Sequence, residues 1–407
     1  MLLKLVLFTL LTSMVSGVYA QVHKTLPKGV RLFAYRNVKT SPIEAEYNQS
    51  QSLNPLSYDL KLNAQTLSGL GGAAQSAFET LRTKSPGAYD EITFGEFNLS
   101  AKAQVQVHGF GGGYGITDRL TVYGILPFYD AQVKMNLKQE KGSNASEVAE
   151  KYGNGGDIET AILNLSNTIP AITPNLIQSA VVNTLGYKPI GNWHGRGYGD
   201  FELGAMYVLH DSTHWGLATT NGIMAPTGRQ SDPDLLQDIA FGDGQWDLFT
   251  ELAVAYIPSR KWMFGTTMRY TYQAPSEKTL RIPFDEDVPL GDTKGRFNVK
   301  FGDRIDATVS ATHIINDWLS VSPLYELAYQ MPSQYESKYT DANRYLAANS
   351  DRIAHNVRLS GSLSTVTPYT KKKFILPAVI TMNIQQTVAG KNVPKMTRYE
   401  VEFRMYF

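Results

Sequence analysis

Seven histidines are the first candidates for chemistry: His23, His108, His194, His210, His214, His313 and His355. A His with a Ser two residues on, on the same strand face, could attack an ester. His355 is followed at that spacing by Val357 and His313 by Ile315, so neither forms the pair. A second candidate is the stretch 231–247, with Asp232, Asp234, Asp238, Asp243 and Asp247. Clustered carboxylates suit a hard cation such as calcium. Their spacing matches no defined calcium loop, which leaves a solvated acidic loop that meets surface cations as the other reading. With no Cys in 407 residues, thiolate metal sites, cysteine nucleophiles and disulfides are all absent. The reading is of no catalytic residue, no metal centre and no cofactor.

The elements that carry these residues alternate with a period of two. At the C-terminus, Tyr399, Val401, Phe403, Met405 and Phe407 share one strand face, opposite Glu400, Glu402, Arg404 and Tyr406. Comparable segments recur at about 28–40, 97–111, 118–138, 198–210, 214–226, 246–257, 261–273, 297–314, 317–331, 352–364, 373–388 and 396–407. No stretch after Ala20 approaches the roughly 20 apolar residues of a spanning helix, and the mean hydropathy is −0.23. A β-barrel escapes that test, because each strand needs only about 10 residues and only alternate ones meet lipid. The 23 Tyr and 17 Phe would supply aromatic girdles at the two interfaces.

The connections support the same architecture. If Phe407 lies at the periplasmic face, the periplasmic connections are 112–117, 211–213, 258–260, 315–316 and 365–372, all short. The extracellular ones are 41–96, 139–197, 227–245, 274–296, 332–351 and 389–395, mostly long, as outer-membrane barrels require. The expected fold is all-β: a transmembrane antiparallel up-and-down barrel of about 12 strands, with 14 as the alternative count, and short helices in the long extracellular loops. Met1–Ala20 reads as a signal peptide cleaved after Ala20, and 21–407 as the barrel. Removing Lys4 with that peptide lowers Lys+Arg from 38 to 37, equal to the 37 Asp+Glu, so nothing points to a nucleic-acid partner.

Loops 41–96 and 139–197 exceed the length of structureless loops and carry helical stripes. Ile158, Ala161, Ile162 and Leu165 form one; Ile177, Ala180 and Val181, after Thr173-Pro174 as cap and first turn, form another; Leu67, Leu70, Ala74, Ala77, Phe78 and Leu81 form a third. Either these helices seal the barrel, or Ile158, Ile162, Leu165, Ile177 and Val181 line a groove for an apolar ligand. The lumen face carries mixed charge. Pore-lining candidates are Lys102, Gln104, Gln106, Glu251, Arg269, Arg304, Asp306, Glu326, Arg358, Glu402 and Arg404, with Lys134, Glu202 and Glu400 on the same reading. They either pair into ion-pair ladders that stiffen the wall or set selectivity. In 118–138 the apolar residues fall on both faces, which calls for a bulge near Pro127 or for apolar patches in the lumen.

The closing strand, ending on an aromatic, resembles the last strand of bacterial outer-membrane barrels, in which Phe407 would be read by the assembly machinery. Four phrases in order, Gly115-Ile-Thr-Asp-Arg-Leu through Phe128, Gly197-Tyr-Gly-Asp200, Met224-Ala-Pro-Thr-Gly-Arg229 and Gly242-Asp-Gly-Gln-Trp-Asp-Leu248, resemble the meta-pathway phenol-degradation barrels, relatives in style of FadL-type channels. The resemblance covers about 110–260. It implies a channel for small hydrophobic or aromatic solutes by passive diffusion, in contact with outer-membrane lipid and lipopolysaccharide. A structural or adhesive surface barrel and a lipid-modifying enzyme are the rival functions. FadL-type channels have an N-terminal plug of several tens of residues, whereas here only Gln21–Pro27 precede the first strand.

Overall fold

The computed structural model describes residues 22–67, 72–153, 155–286 and 290–407. The signal peptide, its cleavage point after Ala20 and Leu70 of the third stripe lie outside the described residues. By contacts the chain divides into two compact units: 1–55, 102–133 and 192–407 in the first, 56–101 and 134–191 in the second.

The first unit is built around a closed antiparallel barrel, two strands of which continue into residues of the second unit. Its strands are β1 (Arg31–Thr40), β2 (Thr93–Thr117), β3 (Leu120–Lys141), β4 (Phe201–Asp211), β5 (Trp215–Ala225), β6 (Asp247–Ser259), β7 (Trp262–Gln273), β8 (Arg304–Ile314), β9 (Leu319–Gln330), β10 (Arg352–Ser364), β11 (Ala378–Lys391) and β12 (Thr397–Tyr406). Each pairs with the next, and β12 closes on β1, with Leu32 opposite Tyr406 and Thr40 opposite Arg398. Twelve strands close the ring. Two extra strands, Ser57–Asn63 on β2 and Trp193–Tyr198 on β3, extend it.

The short connections are Asp118–Arg119, 212–214, 260–261, 315–318 and 365–377, at the end where the Arg31 amide donates to the Phe407 carbonyl (2.7 Å). The segment expected as one strand at 297–314 is two. Lys294–Lys300 joins Ser276–Arg281 and Gln334–Glu336 in a separate small sheet, and β8 starts only at Arg304. Phe297, Val299 and Ala342 form the buried centre of that sheet and its helix Thr340–Ala347, a core a barrel wall cannot provide.

Outward-facing side chains at mid-barrel are apolar and bare: Met268 is 56% exposed, Val309 60%, Met382 58%. Trp215, Trp262 and Trp318 mark the turn end of this belt, with Trp215 against Tyr256 (4.7 Å) and Trp262 against His313 (4.4 Å). Such a band around a closed barrel is a lipid-facing surface.

The faces of β2 and β3 correct the sequence reading. Arg36 faces the lumen, and its register partner is Gly109; Val38 is partnered by Val107. Ala103, Val105 and Val107, buried at 1%, 0% and 0%, therefore face inward, and Lys102, Gln104 and Gln106 face outward. Lys102 pairs there with Glu44. Nor does β3 need a bulge at Pro127. Its outward residues are Leu120, Val122, Leu126 and Phe128, then Asp130, Gln132 and Lys134. Along one unbroken face the polarity switches where the strand leaves the lipid band, between Phe110 and His108 on β2 and between Phe128 and Asp130 on β3. Beyond it, outside is water and inside is packed protein, so the alternation rule inverts.

This inversion predicts a labelling pattern. On intact cells a polymer-tagged maleimide too bulky for the lumen should modify Cys at Lys102, Gln104 and Gln106, but not at Ala103, Val105 and Val107. The absence of native Cys keeps the signal clean. Protection of position 104 from the bulky reagent would return it to the lumen.

The second unit is a small domain with its own core. Helices Gly72–Lys84, Ala145–Tyr152 and Asp157–Thr168 pack Phe78, Leu81, Val148, Ile162 and Leu165 around Phe94 and Phe97, with Phe78 edge-on to Phe94 (6.2 Å). Pro174–Ser179 starts at Thr173, whose side chain accepts from the Leu176 amide as expected of a cap. Ile162 and Leu165 are 1% and 0% exposed, and Ile158 and Ile177 lean on the same core. Val181 is buried too. These residues are consumed by packing, so they do not line an open groove.

Candidate functional site

Inward side chains divide the barrel wall into two halves. From β7 to β12 the wall is mostly polar, as the alternation there requires. Arg36 of β1 donates from Nε to Glu402 (2.8 Å) and lies 3.3 Å from Glu400, and Arg404 lies 2.5 Å from Glu402. Arg358 reaches Gln385 (2.6 Å) and Glu326 (3.4 Å), while Glu326 also accepts from Asn356 (3.0 Å). Arg398 bonds the same Gln385 oxygen (2.7 Å), and Asn383 bonds Glu400 (2.9 Å). Arg304 sits 3.4 Å from Asp306. Arg269 bonds Glu202 of β4 (3.0 Å), which accepts from Tyr123 (2.8 Å), and stands opposite Glu251 in register. Eight of the expected pore-lining residues (Glu251, Arg269, Arg304, Asp306, Glu326, Arg358, Glu402 and Arg404) thus face inward; Lys102, Gln104, Gln106 and Lys134 do not.

From β1 to β6 small and apolar side chains share the inner wall with Arg36, Tyr123, Glu202, Thr220 and Glu251. Ala34, Gly109, Gly111, Ile125, Met206 and Ala218 face inward, as does Phe249, whose ring lies 3.5 Å under the Arg269 guanidinium. A cavity of about 1060 Å³ opens in the lumen toward the turn end, lined among others by Leu32, Ala34, Ile125, Thr381, Asn383 and Arg404.

The segment 22–28 crosses that end along the inner wall, a feature the sequence reading missed. Lys24 bonds Asp211 (2.7 Å), Thr25 donates to the Asp118 carbonyl (2.7 Å), and the amides of Leu26 and Lys28 donate to Thr121 and Asp118 (2.8 and 2.9 Å). Two glycines admit it: a Cβ at Gly115 would lie 2.1 Å from the Pro27 carbonyl oxygen, and one at Gly216 would run into the His23 ring. The glycines in 109–115 were the available signal, since repeated Gly inside a strand marks close backbone approach.

At the end opposite the short turns, the stretch 231–247 is folded in rather than solvated. Asp238 is 5% exposed and bonds Arg229 (3.1 Å); Asp234 bonds Arg281 (2.9 Å) and Lys294 (2.8 Å); Asp247 is 3% exposed. Arg229 also stacks over Trp193 and Phe241. Burial, and then the charge of Asp243, push the Asp200 carboxyl up to about 7; burial also raises Asp243 and lowers Lys278. Three histidines have structural partners on the outer face: Tyr325 bonds His355 (2.6 Å), Tyr35 bonds His108 (2.8 Å) and His194 bonds Asp130 (2.8 Å).

No family model matches the sequence, and no curated protein does. Among solved structures, an outer membrane channel from Pseudomonas putida F1 aligns over 96% of this chain and 100% of its own, at 14% identity and a TM-score of 0.54. More distant are a deltaS2S3 mutant of the monoaromatic hydrocarbon channel TodX (12% identity, 94% of this chain and 91% of the other, TM-score 0.37) and the toluene transporter TbuX of Ralstonia pickettii (7%, 94% and 90%, 0.37). The likeness to the first is one of fold, and it agrees with the strand count, the apolar belt and the short turns at one end: this chain has the fold of an outer-membrane channel.

Proposed function

We propose that the protein is a non-enzymatic outer-membrane channel through which small hydrophobic or aromatic solutes diffuse passively. It would be delivered by a signal peptide cleaved after Ala20, be recognised by the barrel assembly machinery through Phe407, and be surrounded by outer-membrane lipid and lipopolysaccharide. The observation that carries the reading is the two-sided lumen. Its charges are engaged with one another, as in Arg36–Glu402 and Arg358–Glu326, rather than held out to a passing ion. Its other half offers methyl, methylene and aromatic surface, on which each buried Å² of solute gains about 25 cal/mol. Segment 22–28 fits a constriction at the periplasmic exit.

Uptake by cells with an intact lipopolysaccharide barrier tests this. Cells making the protein should take up a neutral aromatic such as benzene several-fold faster than cells without it, with little change for a pentose. Deleting 22–28 should raise both rates, the pentose more. Equal aromatic uptake with and without the protein would refute the channel reading.

A further inference from the structure

Of the connections at the turn end, four have two to four residues and one, 365–377, has thirteen. It carries Lys371, Lys372 and Lys373, then Phe374, Ile375 and Leu376, and no acidic residue. All six are exposed. Ile375, at 93%, is the barest large apolar residue among those described.

This exposure is not that of a loose loop. Thr365 donates to the Leu376 carbonyl and accepts from the Ala378 amide (2.9 Å), which closes the base of the turn. Helix Val366–Thr370 fills its first half, and the Lys373 amide then donates back to the Pro368 carbonyl (2.8 Å). Phe374 stands edge-on to Trp318 (5.6 Å), one of the tryptophans that mark the edge of the lipid belt. Next along the outer wall are Leu363 and its register partner Ile380, both bare. The apolar strip 374–376 therefore continues the lipid-facing surface at the level of the headgroups.

The charge beside the strip has no counterpart in the protein. Lys371 pairs with Asp317 (2.5 Å), whereas among the described residues Lys372 and Lys373 form no ion pair. Lys372 also sits at φ 57°, in the left-handed region where the residue closing a helix is usually glycine. A cationic side chain there strains the backbone, and no carboxylate among the described residues offsets it. Two ammonium groups next to a bare apolar strip match a phosphodiester that carries acyl chains: lysines reach the phosphate while the strip meets the first methylenes.

We propose that the turn 365–377 is a binding site for an anionic glycerophospholipid of the leaflet at the turn end. Lys372 and Lys373 hold its phosphate, and Phe374, Ile375 and Leu376 lie against its acyl chains. The proposal needs the barrel to lie in a bilayer but needs no transport through it, so a failed uptake assay leaves it standing. A free phosphate would use only the lysines, and a protein partner would have to enter the headgroup layer to meet Ile375.

Native mass spectrometry of the detergent-purified protein, offered equimolar phosphatidylglycerol and phosphatidylethanolamine with matched chains, tests it. Retention of phosphatidylglycerol at least threefold above phosphatidylethanolamine is expected. Lys372→Gly with Lys373→Ser should abolish that preference. Because glycine suits the backbone at 372, this variant should keep its heat-modifiable mobility, and Lys373→Ser alone, which should halve the preference, carries the test if it does not. Ile375→Ser should lower retention of both lipids several-fold, while Lys395→Ser, at the other end of the barrel, should change neither. Equal retention of the two lipids by the unaltered protein, or an undiminished preference in the assembled lysine variants, overturns the proposal. Displacement of phosphatidylglycerol by equimolar inorganic phosphate also overturns it, in favour of a free-anion site. Retention of neither lipid does so as well, and leaves the face to a protein partner.

Discussion

Replacing Glu326 by Ala is expected to destabilise the barrel by about 3–5 kcal/mol, the usual consequence of leaving a buried charge without its counterion. The side chains of Arg358 and Glu326 are 1% and 2% exposed, so water cannot replace the lost carboxylate from the wall side. Asn356 loses its acceptor in the same change, since Glu326 receives both groups. Arg358 would keep its bond to Gln385. Changing both partners together, Glu326→Leu with Arg358→Met, should recover most of the loss, because the cost comes from the unpaired charge and not from the absence of the bridge. Unfolding in urea, followed by the heat-modifiable shift in electrophoretic mobility, measures both. A loss below about 1 kcal/mol for the single change would mean that the lumen at Arg358 is wet enough to solvate a guanidinium.

In the second unit, Ile162→Ala and Leu165→Ala should each cost about 2–5 kcal/mol, because both side chains are fully enclosed and truncation leaves a cavity. Ile158→Ala and Ile177→Ala should cost less, since these residues only lean on the core. Every residue of that core belongs to 56–101 or 134–191, so the barrel's heat-modifiable mobility should stay unchanged. Hydrogen exchange over 142–191 separates the outcomes. Faster exchange there in the Leu165 variant is the expected result. Unchanged protection would mean that these side chains are not packed and would restore them as candidates to bind solute.

The strands were legible because lipid outside and polar partners inside impose one rule on alternate residues. Strands β7 to β12 follow it through most of their length, with Met263, Leu324, Ala328 and Ala354 as apolar residues on the inner face. Glu326, Arg358, Glu402 and Arg404 follow from parity alone. The rule misplaced Lys102, Gln104, Gln106 and Lys134 because β2 and β3 outrun the lipid band, at 25 and 22 residues against the roughly 10 a membrane needs. The signal was present: on a single parity, Phe110 gives way to His108 and Phe128 to Asp130. The helical stripes of 139–197 identified buried faces correctly but could not say what buries them. Ile162 and Leu165 find a core made partly by Phe78 and Leu81, some 80 residues earlier. The cluster around Asp200 was less accessible still. Tyr129, Asp200, Asp243, Gln273 and Lys278 come from five separate segments, joined only when the Gly228 and Gly242 turns fold against Asp200.

The change of polarity along β2 and β3 also fixes how deep the barrel sits in its bilayer. If the barrel sank by one outward residue on each strand, about 7 Å along the chain, His108 and Asp130 would be drawn into the hydrocarbon edge together. Each polar group near that interface costs up to about 1 kcal/mol, and the cost rises toward the midplane. If it rose by the same step, Phe110 and Phe128 would be stranded in water, and the tryptophans at the turn end would leave their headgroup layer. The two strands act as a waterline, set by four side chains that touch neither the lumen nor a solute.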